Sequence, residues 1–375
     1  MKLILLITHD TSLSGAPKSV LLVFEELKKR GYSFITVALR GGGKLEPRFI
    51  ALSEQYYRLD TISKEPSYTL FNRIKRKFLK KPILSPYEDF IRLLTQSTFQ
   101  YVYANTVLSL DFSLELKRKL QCPIVLHVHE LKTVIEEFQP ALHSFDQEID
   151  LYLVPSTLNQ MCLEKEYGLP LSKIKILREA SSFIPIKEKE VLKNKTDKTK
   201  VLMCGGAYWR KGDDLFIQLA KLVLKKDPNF HFYWVGSQSM ERKRVNLSDL
   251  EKLGIQESVF FIEETETPEK WYIEADFFAL TSREDPFPLA AIEAGLLGLP
   301  IVCFEKATGI SEVISSDCVV SYLDLEAMSE QIIRLKQQPT RVKEISEENQ
   351  QEFKRFTPVI ISEELHQILE GLYVA

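Results

Sequence analysis

At 375 residues, 45% of them hydrophobic and 27% charged, the chain has a water-soluble globular composition and a length that suits two domains better than one. No apolar run approaches the roughly 20 residues that span a bilayer, and the five cysteines are scattered without a Cys-x-x-Cys pair, which argues against a disulfide frame or a cysteine-held zinc and for free thiols in a reducing compartment. The formal net charge is −3, split as +5 over residues 1–185 and −8 over the remainder, a pattern open to an anionic partner for the first half or to plain solvated surface.

The opening MKLILLITHD carries too short an apolar run for a signal peptide and reads as a first buried strand, Leu3–Thr8. A loop, Ser12 to Pro17, leads into a helix with Pro17 near its first turn, Lys28, Lys29 and Arg30 in its last, and Gly31 just beyond. Further strands are expected at Phe34–Leu39, Tyr101–Asn105, Ile124–His129, Leu151–Pro155 and Lys173–Leu177, with helical segments between most of them. Residues 71–82, FNRIKRKFLKKP, hold six basic residues and no acid, with Phe71, Ile74, Phe78 and Leu79 at helical spacing. Such a stretch suits a weak contact with anionic membrane, or a helix packed on its own domain. No nucleic-acid motif accompanies the charge, so no nucleic-acid partner is expected. Residues 186–199 are polar and charge-rich and read as an interdomain linker. A second series follows: Val201–Cys204, Phe232–Val235, Val259–Ile262, Phe277–Leu280, Ile301–Phe304 and Val319–Leu323, with a final amphipathic helix over 358–372. Strands alternating with helices imply parallel sheets covered on both faces.

The stretch 280–300, LTSREDPFPLAAIEAGLLGLP, places Asp285 and Glu293 eight positions apart. If all eight residues are helical they rise on the order of 12 Å, close to the span from sugar to ribose in a nucleotide-sugar. One carboxylate is then available to sugar hydroxyls and the other to a ribose diol, with helix amides near Leu289 and Ala290 aimed at a diphosphate. The plainer reading makes Asp285 an N-cap and Glu293 a solvated charge, against which stand the small neighbours Ala290, Ala291, Ala294 and Gly295. After the first strand of the second series, Gly205 and Gly206 allow close backbone approach to a phosphate, and Arg210 and Lys211 add positive charge near a helix start. Two surface cations are the alternative. In the first half, His127 and His129 alternate along a strand and lack a third metal ligand at sensible spacing. Asn105 ends its strand and either lines a cleft or caps the next helix. His9 borders the Ser12–Pro17 loop, which contains Gly15.

These motifs resemble the family 4 glycosyltransferases, in residues 201–214 and 276–314 above all. That family carries two glutamates separated by seven residues, then a small-residue helix and a Gly-x-Pro turn, matched here by Glu293 and by Gly298, Leu299 and Pro300, with Asp285 in place of the first glutamate. Lys211 and Gly212 match a family Lys-Gly pair, but the family arginine falls on Gly206. The resemblance implies an α/β protein of the GT-B fold, two Rossmann-like domains facing a central cleft. Its parts would be an acceptor domain over 1–185, a linker over 186–199, a donor domain over 200–357, and a tail helix over 358–372 that packs back on the first. The implied activity is retaining transfer of a hexose or deoxyhexose from a nucleotide diphosphate sugar to a glycan or lipid-linked acceptor in cell-surface polysaccharide synthesis. It would proceed without cofactor or metal, in the cytoplasm or peripherally on the inner face of the membrane. The implied catalytic set is His129, Asp285 and Lys211. The implied donor set is Gly15, Gly206, Arg210, Lys211, Asp285, Leu289, Ala290 and Glu293, and the acceptor side draws on His9, Asn105 and His127. A nucleotide-sugar epimerase and a non-catalytic nucleotide-sugar binding protein remain as other readings. A dinucleotide oxidoreductase is disfavoured because no Gly-x-Gly-x-x-Gly follows the first strand, and a P-loop kinase because Gly-Lys-Ser/Thr is absent.

Overall fold

The computed structural model describes residues 2–65, 85–183, 198–265 and 267–374. The basic stretch 71–82, and the expected linker up to residue 197, lie outside the described residues. The chain forms two compact units. The first comprises Met1–Val154, Leu163–Lys175 and Ser362–Ala375, and the second Pro155–Cys162 and Ile176–Ile361.

The first unit is built on a parallel sheet whose described strands are β1 Lys2–Thr8, β2 Tyr32–Ala38, β3 Gln55–Arg58, β4 Tyr101–Asn105, β5 Ile124–His127, β6 Leu151–Val154 and β7 Ile174–Ile176. Their order is β3-β2-β1-β4-β5-β6-β7. Apolar residues fill the central strands because helices cover them. Ile4, Leu5, Leu6 and Ile7 are fully buried, as are Val125 and Leu126. The helix Gly15–Lys29 lays Val20, Leu21, Phe24 and Leu27 inward at spacings of three and four. Fully burying each such side chain stabilises the fold by roughly 1.5–3 kcal/mol. Within this unit the last helix, Pro358–Val374, meets the sheet through His366, whose Nδ1 lies 2.9 Å from the Tyr32 hydroxyl, and through the Leu369 carbonyl, which accepts from Tyr101 at 2.6 Å.

The second unit repeats the plan with β8 Thr199–Cys204, β9 Phe230–Val235, β10 Val259–Ile262, β11 Phe277–Leu280, β12 Ile301–Phe304 and β13 Val319–Val320, in the order β10-β9-β8-β11-β12-β13. Its core gathers Phe216, Phe230, Phe232 and Trp234. Phe216 meets Phe232 and Trp234 edge-on at 5.6 and 5.4 Å, the favoured geometry for aromatic quadrupoles.

Three local differences from expectation have physical causes. β3 was not expected from QYYR, a polar edge strand with little apolar content. β8 begins at Thr199, the last residue of the expected linker, because Thr199 and Lys200 pair with Phe230 and His231 of β9. Helix does not run from Asp285 to Glu293. It starts at Leu289 with Pro288 as N-cap, since Pro286 and Pro288 keep the preceding segment extended, so the 12 Å helical span does not apply.

In each sheet the strand order reverses once, between β1 and β4 in the first unit and between β8 and β11 in the second. Ligands of open parallel sheets bind outside the carboxyl ends of the strands at such a reversal.

Candidate active site

In the second unit the segments after β8 and β11 meet at that reversal. The turn after β8 runs through Gly205 and Gly206 to a 3-10 turn, Trp209–Lys211, and only then to the helix Asp213–Lys226. Arg210 and Lys211 therefore precede the helix rather than occupying its first turn. The two segments are laced together by main chain. Arg283 and Glu284 amides donate to the Arg210 carbonyl at 2.8 and 3.3 Å, and the Thr281 hydroxyl donates to the Gly212 carbonyl at 3.0 Å. Gly212 has φ +72°, and a Cβ there would lie 2.1 Å from the Thr281 carbonyl oxygen, so no other residue permits this approach.

The side chains converge on Asp285, which is 4% exposed. Its Oδ2 accepts from Lys211 Nζ at 2.6 Å and from the Ser282 hydroxyl at 3.1 Å, and its Oδ1 lies 3.8 Å from Arg210 Nη1. Arg210 is held in turn by the Glu284 carbonyl at 2.7 Å and the Tyr208 hydroxyl at 2.9 Å. Two cations thus share one buried carboxylate. The helix below them already has its own acids in the first turn. Asp213, fully buried, takes a two-pronged contact from Arg242 at 2.6 and 2.8 Å, and Asp214 takes one from Arg283 at 2.9 and 2.8 Å. Burial works against ionisation of Asp214, but the Arg283 fork outweighs it and holds the carboxyl below the usual range. These pairs satisfy that helix start, and leave Arg210 and Lys211 directed at Asp285.

Beyond Asp285, the helix Leu289–Leu296 opens with no acid in its first turn and an N-cap, Pro288, that offers no side-chain acceptor. Its first amides, at Leu289 and Ala290, carry the positive end of the helix dipole. Glu293 lies on this helix and is 6% exposed, so it is not a solvated charge. Its Oε2 accepts from the Tyr272 hydroxyl at 3.0 Å and its Oε1 from the Ser181 hydroxyl at 3.4 Å. Burial first, and then the neighbouring Cys204 and Glu293, push the Tyr272 phenol well above its ordinary value, so it stays a hydrogen-bond donor.

The first unit gathers its own expected residues at the carboxyl ends of β1, β4 and β5. Asn105 is fully buried, and its Oδ1 lies 2.7 Å from His129 Nε2. The His127 Nδ1 lies 2.7 Å from the Tyr103 hydroxyl, and the rings of His127 and His129 sit 3.8 Å apart. The strand ends at His127, and the two rings meet past its end with their planes tilted by 39°. Burial, then His129, pushes His127 well below the ordinary histidine value and keeps it neutral. His9 is also lowered, chiefly by burial, and its Nδ1 is 3.3 Å from the Thr106 hydroxyl. Thr106 has φ +80° and ψ +156°, a conformation that costs a β-branched residue on the order of 1–3 kcal/mol. Strain of that size persists only where the surrounding structure holds the residue in place. Gly15 is the first residue of the helix Gly15–Lys29, and the Ser14 before it does not cap that helix with its side chain.

Sequence reasoning did not single out Ser181, Tyr208, Tyr272, Ser282 or Thr106. Ser181 and Tyr272 reach Glu293 from distant positions, Thr106 depends on a backbone angle, and Tyr208 and Ser282 contact near neighbours, Arg210 and Asp285, in irregular turns; none of these leaves a periodic signal.

Comparison with known proteins finds glycosyltransferases. Residues 186–352 match the model of the glycosyl transferases group 1. An uncharacterized glycosyltransferase of Haemophilus influenzae is 24% identical over 302 residues, covering 77% of this chain and 84% of the relative. The O-antigen biosynthesis glycosyltransferase WclY of Escherichia coli is 31% identical over 99 residues, 26% of each chain. Among solved structures, Anabaena HepE in complex with UDP and glucose superposes with a TM-score of 0.79 over 98% of this chain and 99% of its own, at 15% identity. The chain therefore has the GT-B fold, and its residues 186–352 are similar to the glycosyl transferases group 1.

Proposed function

We propose that the protein is a retaining glycosyltransferase that moves a hexose or deoxyhexose from a nucleotide diphosphate sugar to a glycan or lipid-linked acceptor in cell-surface polysaccharide synthesis. It would work in the cytoplasm or at the inner face of the membrane and need no metal. The observation that carries the reading is the convergence of Lys211 and Arg210 on Asp285, beside the helix start at Leu289. Chemically, the bond from the sugar's anomeric carbon to the diphosphate oxygen breaks, and a bond to an acceptor hydroxyl forms. The group that needs stabilising is the departing diphosphate. Lys211, Arg210 and the amides of Leu289 and Ala290 supply fixed positive charge for it. Glu293, held between Tyr272 and Ser181, presents a buried carboxylate suited to a ribose diol. Asp285, tied to Lys211, links the phosphate site to sugar hydroxyls. In the first unit the candidate residues are His129, held by Asn105, with His9, His127 and Gly15.

The similarity to HepE, a structure holding UDP and glucose, and to WclY, an O-antigen enzyme, supports this substrate class. Among the described residues no helix is long and apolar enough to cross a membrane. The test is a thermal-shift screen against nucleotide diphosphate sugars. A donor at 100 times its Kd stabilises by about 2.7 kcal/mol. NMR of the products then separates the outcomes. A glycosylated acceptor with unchanged anomeric configuration supports the reading. An epimerised or free sugar made without acceptor supports an epimerase, and binding without turnover across a broad acceptor set supports a non-catalytic binder.

A further inference from the structure

We infer that Tyr208 is a positioning residue that holds Arg210 as the second cation for the donor diphosphate, in space that residue 206 leaves open. The inference rests on the donor reading above. A Cβ on Gly206 would lie 3.0 Å from Tyr208 Cε1 and 3.3 Å from its Cδ1, so the tyrosine ring occupies the volume a side chain at 206 would need. The same ring lies under the Arg210 guanidinium, 5.5 Å from its centroid, and the Tyr208 hydroxyl accepts from Arg210 Nη2. On its other side Arg210 donates to the Glu284 carbonyl and approaches Asp285.

The guanidinium is thus hydrogen-bonded on two edges, to the Tyr208 hydroxyl and the Glu284 carbonyl, with the tyrosine ring beside it. An unrestrained arginine loses rotamer entropy when it is fixed on a ligand. Tyr208 lowers the part of that cost that a diphosphate would otherwise meet on binding. Tyr208 is itself 43% exposed, which burial alone does not explain. Its contacts with Gly206 and Arg210 account for its place.

The test is calorimetric titration with uridine, guanosine and adenosine diphosphates and the matching monophosphates. The proteins are the wild type, Tyr208→Phe, Tyr208→Ala, Arg210→Ala and Tyr208→Ala/Arg210→Ala. For whichever base the wild type binds, Arg210→Ala and Tyr208→Ala should each weaken the diphosphate about tenfold and leave the monophosphate within about twofold. Tyr208→Phe, which keeps the ring and loses the hydroxyl, should fall between. The double variant should bind no more weakly than Arg210→Ala alone, because Tyr208 acts through the arginine. A triple variant that adds Gly206→Arg to Tyr208→Ala/Arg210→Ala should regain diphosphate affinity, since the ring no longer blocks residue 206. Unchanged diphosphate affinity in Tyr208→Ala, or a further loss in the double variant, overturns the inference while the donor reading stands. A wild type that binds none of the diphosphates overturns the donor reading, and this inference with it.

Discussion

Replacing Lys211 by methionine should destabilise the second unit by about 3 kcal/mol, because it strands a buried carboxylate. The two side chains are 14% and 6% exposed, so solvent does little to screen the 2.6 Å pair. Breaking a buried pair from one side typically costs 3–5 kcal/mol. The value here belongs at the low end, since the Ser282 hydroxyl stays at 3.1 Å and Arg210 at 3.8 Å from the same carboxylate. Methionine matches the lysine stem, so packing is nearly conserved. All three tryptophans, Trp209, Trp234 and Trp271, lie in the second unit, and selectively excited tryptophan fluorescence therefore reports on that unit. With a urea slope of about 2 kcal/mol/M, the fluorescence midpoint should drop by roughly 1.5 M. Asp285→Asn in the Lys211→Met background removes the stranded charge. The double variant should recover at least about 1 kcal/mol relative to the sum of the singles. Additive effects, or a Lys211→Met midpoint within error of wild type, would refute the claim that the two groups form a coupled buried pair.

Four further outcomes follow from the same geometry. Glu293→Gln keeps the shape of a side chain that accepts from Tyr272 and Ser181 but removes its charge, and calorimetry should show nucleoside diphosphate affinity falling roughly tenfold or more. Tyr272→Phe removes the hydroxyl that donates to Glu293 Oε2 at 3.0 Å, and the fluorescence midpoint should report a loss of about 1–3 kcal/mol. Gly212→Ala forces a methyl to 2.1 Å from the Thr281 carbonyl at positive φ, so it should lower the melting temperature far more than an alanine at the exposed Met240. For His9 and His127, both lowered by burial, the unfolded chain takes up protons below about pH 6.5 that the folded chain excludes. Stability should therefore fall as pH drops from 6.5 toward 5, by at most about 1.4 kcal/mol per pH unit per histidine, and His127→Gln should flatten the decline in calorimetric melts.

Much of the architecture was legible because parallel strands buried on both faces must be apolar runs. Tyr101–Asn105, Val259–Ile262, Phe277–Leu280 and Ile301–Phe304 were read to the residue. Boundaries drifted where the backbone continued pairing with polar side chains, as at Thr199 and Lys200, and where it stopped early, as at His127. In the site, Asp285, Glu293, Arg210 and Lys211 were visible as charges beside glycines and small residues. What those charges touch was not. The Lys211–Asp285 pair joins residues 74 apart, Arg242–Asp213 joins residues 29 apart, and Tyr272 reaches Glu293 from another element. No periodicity records such pairings, which arise only when elements distant in the chain are brought together in the fold. Thr106 was hidden for a different reason, since a strained φ leaves no trace in residue type when the residue is not glycine.

The most direct test of the central claim, that the second unit holds the donor nucleotide at the β8/β11 reversal, is amide hydrogen exchange with and without a bound nucleoside diphosphate. Ligand contact and local stabilisation slow exchange where they act. The expected result is new protection at the amides of residues 205–212 and 289–293, lost in Glu293→Gln at the same nucleotide concentration. Protection confined to the first unit, or spread without reaching either segment, would contradict the account.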